Sequence, residues 1–541
     1  MSSNLVLTNG NIYTMDPRHP KATAVAIREG KILAVGHDDA IKDLLSPEGE
    51  WIDLNGRSVV PGLVDAHVHF EGFSIARQRV DLDEAAALEE VLQRVERYAL
   101  QLDKNQNNSE NQPWLQGRGW AQDAWQDPSF PTAAHLDQIV PHMPVYLRHK
   151  SGHAAWANTR TLNLAGITAA TPDPPGGQIQ RDAAGKPTGI LFEDAMLLVK
   201  EHIPKPTLSQ ISSAMLDAQN YCWQVGLTGL HDFDGRSCFE ALQLLRQRDQ
   251  LGLRIVKNIP FERLEHAIGV GLRSGFGDEW LRIGGIKIFA DGALGPRTAA
   301  MVEPYQNDPT NYGIMVTDKE EMMAGASQAS AHGLSVTVHA IGDRANHDVL
   351  DVFAAVRQEE RGQDHRAQLR HRIEHVQVLH PSDLQRLAQL NVVASMQPIH
   401  ATSDMEAAAA HWGDRSQYSY AWRTMLASGA TLVFGSDAPV ERIDPLPGIH
   451  AAVTRRRANG FPGKDGWHPE QRLTLQETIL AFTQAAAITS GQENQLGSIA
   501  SGKLADLTIF DQDIFALSPD ELLQVGIDGT VVAGEFKHRA W

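Results

Sequence analysis

Short apolar runs alternate with amphipathic segments through the middle of the chain. Segments such as 320–332 and 346–361 have the apolar spacing of helices, and the runs between such segments are typical of buried strands. Strands that alternate with helices indicate parallel β/α units. Eight runs are predicted strands: 59–69, 226–233, 253–259, 283–290, 334–340, 371–377, 391–397 and 431–437. The pattern therefore predicts an α/β protein built on a (β/α)8 TIM-like barrel.

Both ends of the chain predict β-structure instead. Two dipeptides in the first 58 residues, Asn9-Gly10 and Glu29-Gly30, lie between apolar runs and each predict a β-hairpin. The other end shows similar alternation. We expect one small sheet domain built from 1–58 plus 495–541, with the barrel occupying 59–494.

The segment 76–205 separates the first two predicted strands and is far longer than a crossover helix, so it is an insertion. It follows a strand at the face where barrel sites lie, which favours a cap or a substrate wall. A subdomain whose aromatic residues only fill its own core is the alternative. Its tryptophans are Trp114, Trp120, Trp125 and Trp156.

The amino-acid composition indicates which kinds of binding partner and which cellular location to expect. The 541 residues carry 48 Lys and Arg against 66 Asp and Glu, a formal net charge of -18, which argues against nucleic acid. No window approaches the roughly 18–20 apolar residues of a membrane helix, and no secretory signal is visible. With only 2 cysteines, we expect a reduced, cytoplasmic location. The number of subunits is left open, with a homodimer among the options.

Two histidines at the end of the first predicted strand are the first candidate metal ligands. His67 and His69 are two residues apart on a strand, so their imidazoles point to the same face. Two imidazoles on one face can share a metal ion. An exposed polar alternation is the alternative, but the apolar flank 59–64 favours a buried pair.

Lys287 is a charged residue inside an apolar strand. A buried lysine is costly unless it is paired or chemically altered. A salt bridge to Asp291 or another carboxylate is one explanation, and an ammonium that reaches solvent is another. The functional interpretation is that the neutral amine adds carbon dioxide, and that the resulting carbamate bridges two divalent ions.

Three further candidates end later strands. His339 and His375 lie on successive predicted strands and suit a second metal ion. Asp437 ends the last strand, where a carboxylate can bind the first ion and accept a proton from water. Each histidine alone is more often a satisfied core residue, and it is the pair that favours metal binding.

Over nearly its whole length the chain resembles the amidohydrolase superfamily, in the branch that includes N-substituted formamide deformylases. The motifs that carry this resemblance are 61–69, 287–295, 338–343, 372–375, 434–439 and 497–507. The resemblance implies that the two ends form a composite β-sandwich. The set is specific for the superfamily and not for a substrate.

The resemblance also implies roles for the candidate residues. His67, His69 and Asp437 would hold the more buried ion, His339 and His375 would hold the other, and a carboxylated Lys287 would bridge them. Hydroxide between the ions would attack a carbonyl carbon, and Asp437 would carry the proton to the leaving amine. Zinc is the default metal, with iron, manganese or cobalt as alternatives and a single ion also open.

Two departures from relatives affect the expected reaction. One-metal deaminases carry a His-x-x-Glu after the fifth strand, whereas His339 is followed by Ala340-Ile341-Gly342. Neither Cys222 nor Cys238 lies at the pocket end of a predicted strand, so a cysteine ligand is not expected. Candidate substrate contacts, chosen by resemblance to branch motifs, are Trp120, His153 and Arg297.

The predicted function is metal-dependent hydrolysis of a C–N bond in a small-molecule amide, formamide or cyclic amide. A deaminase, esterase or isomerase on the same scaffold is the alternative, because a fold does not determine chemistry. A non-enzymatic regulatory homologue would have lost ligands, and all six are present.

Overall fold

The structure, a computed structural model, describes residues 3–104, 114–361 and 369–541. The chain divides into two compact units, Met1–Phe73 with Met215–Trp541, and Ser74–Ala214. The first unit contains the barrel strands and both ends of the chain. The predicted insertion, 76–205, falls within the second unit.

The first unit contains one eight-stranded sheet in which neighbouring strands are parallel and follow one another in chain order. The strands are β1 Leu63–Val68, β2 Leu227–Asp232, β3 Arg254–Pro260, β4 Leu281–Phe289, β5 Ser335–Ala340, β6 Arg372–His375, β7 Val393–Met396 and β8 Leu432–Phe434. Each lies within or overlaps a predicted strand. The (β/α)8 TIM-like barrel is therefore confirmed.

The two edge strands of this sheet meet at their carboxyl ends. The amide of Asp437 donates to the carbonyl of His67 at 2.7 Å, and the amide of His69 donates to the carbonyl of Ala438 at 2.8 Å. These bonds nearly close the sheet into a ring. They also place the end of β1 directly beside the end of β8.

Helices connect the barrel strands as the amphipathic pattern predicts. The helix Lys319–Ala331 begins where the Asp318 carboxylate accepts a hydrogen bond from the Glu321 amide at 2.8 Å. The other helices of eight or more residues that lie wholly in this unit are Arg236–Gln247, Asp343–Glu360, Pro398–Trp412, Pro445–Thr454 and Leu475–Phe482. Leu208–Gln224 crosses the boundary between the units. No helix in the described ranges is long and apolar enough to span a membrane.

Strands from both ends of the chain form two sheets in the same unit. One contains Ser3–Thr8, Ala24–Arg28, Lys31–Gly36 and Leu45–Asp53. The other contains Asn11–Tyr13, Lys21–Ala22, Ser58–Pro61, Leu507–Phe510, Ile527–Val532 and Glu535–Arg539. Leu7, Val25 and Ile509 belong to one buried cluster, so residues from both ends share a core. The boundaries of a separate sandwich domain stay a prediction.

One of the two predicted hairpins is confirmed and the other is wrong. Ala24–Arg28 pairs antiparallel with Lys31–Gly36 across Glu29-Gly30, as expected. The strand before Asn9-Gly10 pairs with Ala24–Arg28, whereas the strand after it pairs in the other sheet. Asn9 has a φ of 55°, so the turn itself forms, but it carries the chain from one sheet to the other.

The second unit has its own sheet and core. Its strands, in spatial order, are Gly177–Arg181, Pro187–Glu193, Ala154–Ala157, Val145–His149, Leu115–Trp120 and Val80–Asp81. Its helices include Leu88–Lys104 and Ala133–Ile139. Trp120, Trp125 and Trp156 are buried in one cluster with aliphatic residues of the same unit. The predicted role of 76–205 as a cap stays a prediction.

Candidate active site

The six candidate ligands converge at the carboxyl ends of the barrel strands. Asp437 Oδ1 lies 3.5 Å from the Nε2 atoms of both His67 and His69. The ring of His375 lies 4.9 Å from that of His67 and 4.6 Å from that of His339, centroid to centroid. Lys287 is buried. It lies close enough to Asp437 for the negative charge of that carboxylate to oppose the lowering of the lysine pKa by burial. All six belong to the first unit.

Two of these residues have left-handed backbone conformations. His375 has a φ of 74° and Asp437 a φ of 62°. Such values cost of order 1–3 kcal/mol for residues other than glycine, and they persist where the surrounding structure enforces them. His375 ends β6, and Asp437 lies three residues after the end of β8, so both side chains are at the carboxyl ends of barrel strands.

Each of the four histidines has one ring nitrogen held by an acceptor. The Nδ1 atoms of His67, His69 and His375 lie 2.6 Å from Glu374 Oε2, 3.0 Å from Asp234 Oδ1 and 2.8 Å from Gln397 Oε1. His339 differs, because its Nε2 lies 2.9 Å from the Gly292 carbonyl oxygen. Since carboxylates and carbonyls only accept, these nitrogens donate, and the Nε2 atoms of His67 and His69 lie on the side of Asp437. A metal-binding histidine is typically oriented in this way.

The carboxylate that orients His67 is itself held by a buried arginine. Arg372 donates to Glu374 through both Nε and Nη2, and Nη2 also donates to Ser395 Oγ at 2.6 Å. Burial would raise the pKa of Glu374, but the charges of Arg372 and Lys287 lower it below its ordinary value. Glu374 therefore stays ionised and is a strong acceptor for His67.

Burial favours the neutral imidazole, the form that metal binding requires, at three of the four histidines. Burial lowers the pKa of His339 to about 3, helped by the nearby Lys287 ammonium. Burial likewise holds the pKa values of His67 and His375 well below the ordinary value. The pKa of His69 is raised instead, because hydrogen bonding and charge from Asp234 outweigh its burial.

Lys287 has an environment that favours the neutral amine. Burial lowers its pKa to about 8, although Glu374 and Asp437 act in the opposite direction. Its Nζ lies 4.7 Å from the ring centroid of Phe233 and 4.9 Å from that of Phe289. Among the described residues no carboxylate oxygen lies within 4.0 Å of Nζ, and Asp291 accepts from backbone amides instead. The salt-bridge explanation for this lysine is therefore not observed.

Asp437 has a pKa above the ordinary value of an aspartate. Burial raises its pKa to about 6, although His69 and Lys287 lower it. A carboxyl group with this pKa can both accept and release a proton near neutral pH. Its position between His67 and His69 is that of a residue that also binds metal.

The donor set fits divalent metal ions. One group of donors consists of His67, His69 and Asp437, and a second consists of His375, His400 and Asp437, with the donor atoms of each group within 4.8 Å of one another. Imidazole nitrogens and carboxylate oxygens are common ligands of zinc and related metals.

A further group of possible metal ligands, Asp232, Asp234 and Cys238, is already paired with the ammonium group of Lys257. Lys257 Nζ lies 2.7 Å from Asp232 Oδ2 and is buried with it. The ammonium neutralises this group, which lies behind His69 through Asp234.

The predicted substrate contacts have different surroundings. Trp120 is fully buried in the second unit, and its Nε1 donates to the Leu147 carbonyl at 3.0 Å. His153 is in the same unit, with a side chain 72% exposed and paired with Glu193 at 3.0 Å. Arg297 lies in the loop after β4, 3.4 Å from Asp308. The roles of these three residues stay predictions.

Several residues of the site were missed by the sequence analysis. Glu374, Asp234 and Gln397 orient histidines, and Phe233 stacks on His67 at 4.1 Å between ring centroids. Glu374 could have been found from the sequence. It lies two residues from Arg372 on a short buried strand, where charged side chains need polar partners. The sequence contains no comparable indication for Gln397, since a single glutamine after a strand is common.

A parallel barrel whose mouth gathers oriented neutral imidazoles, a lysine and a carboxylate is an architecture of metal-dependent hydrolases. Comparison with known proteins specifies the family. Residues 50–538 match the amidohydrolase family, and the chain belongs to it. The family predicted from the motifs is thereby confirmed.

Relatives align over nearly the whole chain. "Protein LONG AFTER FAR-RED 3" of Arabidopsis thaliana is 34% identical over 94% of this chain and 87% of its own. The putative amidohydrolase YtcJ of Bacillus subtilis is 33% identical over 97% of this chain and 98% of its own. The N-substituted formamide deformylase of Arthrobacter pascens is 29% identical over 99% and 98% respectively. An uncharacterized metal-dependent hydrolase from Pyrococcus horikoshii has a similar structure, with a TM-score of 0.77 and 28% identity over 95% of this chain and 99% of its own.

Proposed function

We propose that this protein hydrolyses the C–N bond of a small-molecule amide, formamide or cyclic amide with the help of divalent metal ions. The observation that carries the proposal is the convergence of four oriented histidines with Asp437 and Lys287 at one barrel mouth. The full-length similarity to an N-substituted formamide deformylase supports the choice of bond.

The proposed ligand roles are those that the resemblance to the amidohydrolase superfamily implies, and the grouping of His67, His69 and Asp437 supports the first ion site. His67, His69 and Asp437 hold one ion, and His339 and His375 hold the other. Lys287, as a carbamate, would supply a ligand to both ions. The ions, which we propose to be zinc, lower the pKa of water toward ~7 and polarise the carbonyl oxygen of the substrate.

Asp437 moves the proton of the reaction. With a pKa of about 6 it is ionised at neutral pH and accepts a proton from the attacking water at a carboxylate oxygen. It then delivers that proton to the nitrogen of the leaving amine.

The aromatic residues beside the site favour an apolar group on the substrate. Phe289 is 47% exposed, and its ring centroid lies 5.3 Å from that of His339. An exposed phenylalanine next to a reaction centre offers a surface for an aryl or alkyl substituent. Phe233 is buried and serves instead to support His67.

The test is a substrate panel measured together with metal content. We expect N-phenylformamide to release aniline and formate, and we expect activity to fall on treatment with a chelator and return with zinc. The variant D437N is the matched control, because it keeps the size of the side chain and removes the proton acceptor. A protein that hydrolyses no amide, formamide or cyclic amide in metal-loaded form would overturn the proposal, and release of ammonia from amine substrates would favour a deaminase.

A further inference from the structure

A fifth buried histidine, His400, lies at the proposed reaction centre and makes no hydrogen bond to the described residues. His400 is in the first turn of Pro398–Trp412, directly after β7, and is only 7% exposed. Neither of its ring nitrogens has a hydrogen-bond partner among the described residues. A buried polar group without a partner costs free energy, and such groups are retained where a ligand or water satisfies them.

The ring of His400 faces the proposed catalytic residues. Its Nε2 lies 3.8 Å from Asp437 Oδ2, and its plane is stacked on that of His375 with centroids 6.1 Å apart. A neutral imidazole offers one N–H donor, which suits an oxygen atom that gains negative charge.

Metal binding is the competing role for His400, and the geometry argues against it. Its donor atom lies within 4.8 Å of those of His375 and Asp437, so distance alone would allow an ion. Each of the four proposed histidine ligands, however, has its second nitrogen held by the protein. His400 has no such orienting contact, whereas a metal-binding histidine almost always does.

We propose that His400 is a catalytic residue whose Nε2–H donates a hydrogen bond to the oxygen of the scissile carbonyl group. The donor is placed before the substrate arrives, and its contact strengthens as the carbonyl oxygen becomes negative during attack. No proton leaves His400, so Asp437 remains the only carrier in the reaction. This inference rests on the proposed function, because it assumes a carbonyl substrate.

Two substitutions separate this role from metal binding. H400L removes the donor, and we expect kcat on N-phenylformamide to fall by about 100-fold to 1,000-fold, the range for loss of one such donor. H400Q keeps an N–H close to the position of Nε2, and we expect it to retain kcat within about 10-fold of the natural protein. In both variants the ion content by elemental analysis, and its resistance to a chelator, should match the natural protein.

Two controls run beside them. H375L removes a proposed ligand and should lose bound metal, whereas H450Q replaces a buried histidine in the helix Pro445–Thr454 and should change neither measurement. Loss of metal from H400L to the extent seen in H375L would overturn the inference. So would an unchanged kcat in metal-loaded H400L, or an H400Q that is no better than H400L.

The outcome also distinguishes failure of the two proposals. If the natural protein hydrolyses none of the substrates in the panel, the proposed function fails. The metal content of H400L then tests the inference by itself, because a loss of metal would show that His400 is a ligand. If the natural protein is active and H400L is equally active, only the inference on His400 fails. H400Q has nearly the volume of the natural side chain, which keeps the test decisive if H400L does not fold.

Discussion

Glu374 Oε2 lies 2.6 Å from His67 Nδ1, and both side chains are fully buried at the carboxyl end of the barrel. The carboxylate is ionised because Arg372 is paired with it. This contact determines which nitrogen of His67 faces the reaction centre. Glu374 therefore orients His67 for the metal binding that we propose.

The first prediction concerns this contact. E374Q keeps an oxygen for His67 but removes the charge that neutralises Arg372. We expect metal affinity to fall by about 10-fold to 100-fold, and the free energy of unfolding to fall by about 3–5 kcal/mol. Chelator competition and denaturant unfolding measure the two effects.

A matched control exists elsewhere in the barrel. Glu360 is buried and pairs with Arg357 at 2.7 Å and with His371 at 2.8 Å, on the helix after β5. E360Q should therefore lose stability and keep its metal affinity. Equal loss of metal in the two variants would show that the effect of Glu374 is only structural.

The second prediction is a pH dependence of stability that arises from the same control pair. Burial would raise the pKa of Glu360, but His371 and Arg357 lower it to about 2. The unfolded chain binds a proton near pH 4.5 and the folded chain does not, so stability is present above 4.5 and is lost as pH falls toward 2. His371 acts in the same direction, because burial lowers its pKa and protonation below the ordinary value favours the unfolded chain.

Unfolding measured between pH 6 and pH 3 tests this dependence. We expect E360Q to flatten the acid limb relative to the natural protein. An identical slope in both proteins would exclude Glu360 as a contributor and assign the acid loss to other groups.

The third prediction concerns Lys287. K287A removes the amine that forms the carbamate, so we expect loss of the paired ions and of activity, with partial recovery on addition of a short carboxylate such as acetate. K287R is the control, because it keeps a positive charge and cannot be carboxylated. Intact-mass measurement of metal-loaded natural protein that finds an unmodified amine would refute the bridge and favour a single ion.

The fourth prediction concerns the exposed face of Phe289. F289A should raise KM for N-phenylformamide by about 10-fold, the value of a modest apolar contact, and leave KM for N-methylformamide nearly unchanged. The comparison of two substrates controls for damage to the metal site, which would reduce kcat for both. An equal effect on both substrates would place the substituent elsewhere.

The fifth prediction separates two roles for Trp120. Because its ring is enclosed by Trp125, Phe130 and Trp156 of the same unit, W120A should lower stability by about 3–5 kcal/mol, as expected of a large core residue. W120F fills most of the space and loses only the bond to the Leu147 carbonyl. Unchanged KM in W120F supports a core role, and a raised KM with normal stability supports the substrate contact predicted from the sequence.

Much of the barrel could be predicted because it depends on local patterns. Apolar runs with helices between them define β1 to β8, and donors at the ends of parallel strands must meet at one mouth. The partners of the histidines could not be predicted, because Asp234 and Gln397 reach His69 and His375 only through the register of strands distant in sequence. The hairpin predicted at Asn9-Gly10 was wrong for a similar reason. The residues of a turn indicate its backbone conformation but not which sheet the next strand joins.

The most direct test of the central claim is a crystal structure of the metal-loaded protein with elemental analysis of the same sample. The account predicts two divalent ions per chain, one held by His67, His69 and Asp437 and the other by His339 and His375, with a carboxylated Lys287 between them. Full hydrolytic activity in a protein that contains no bound metal would contradict it.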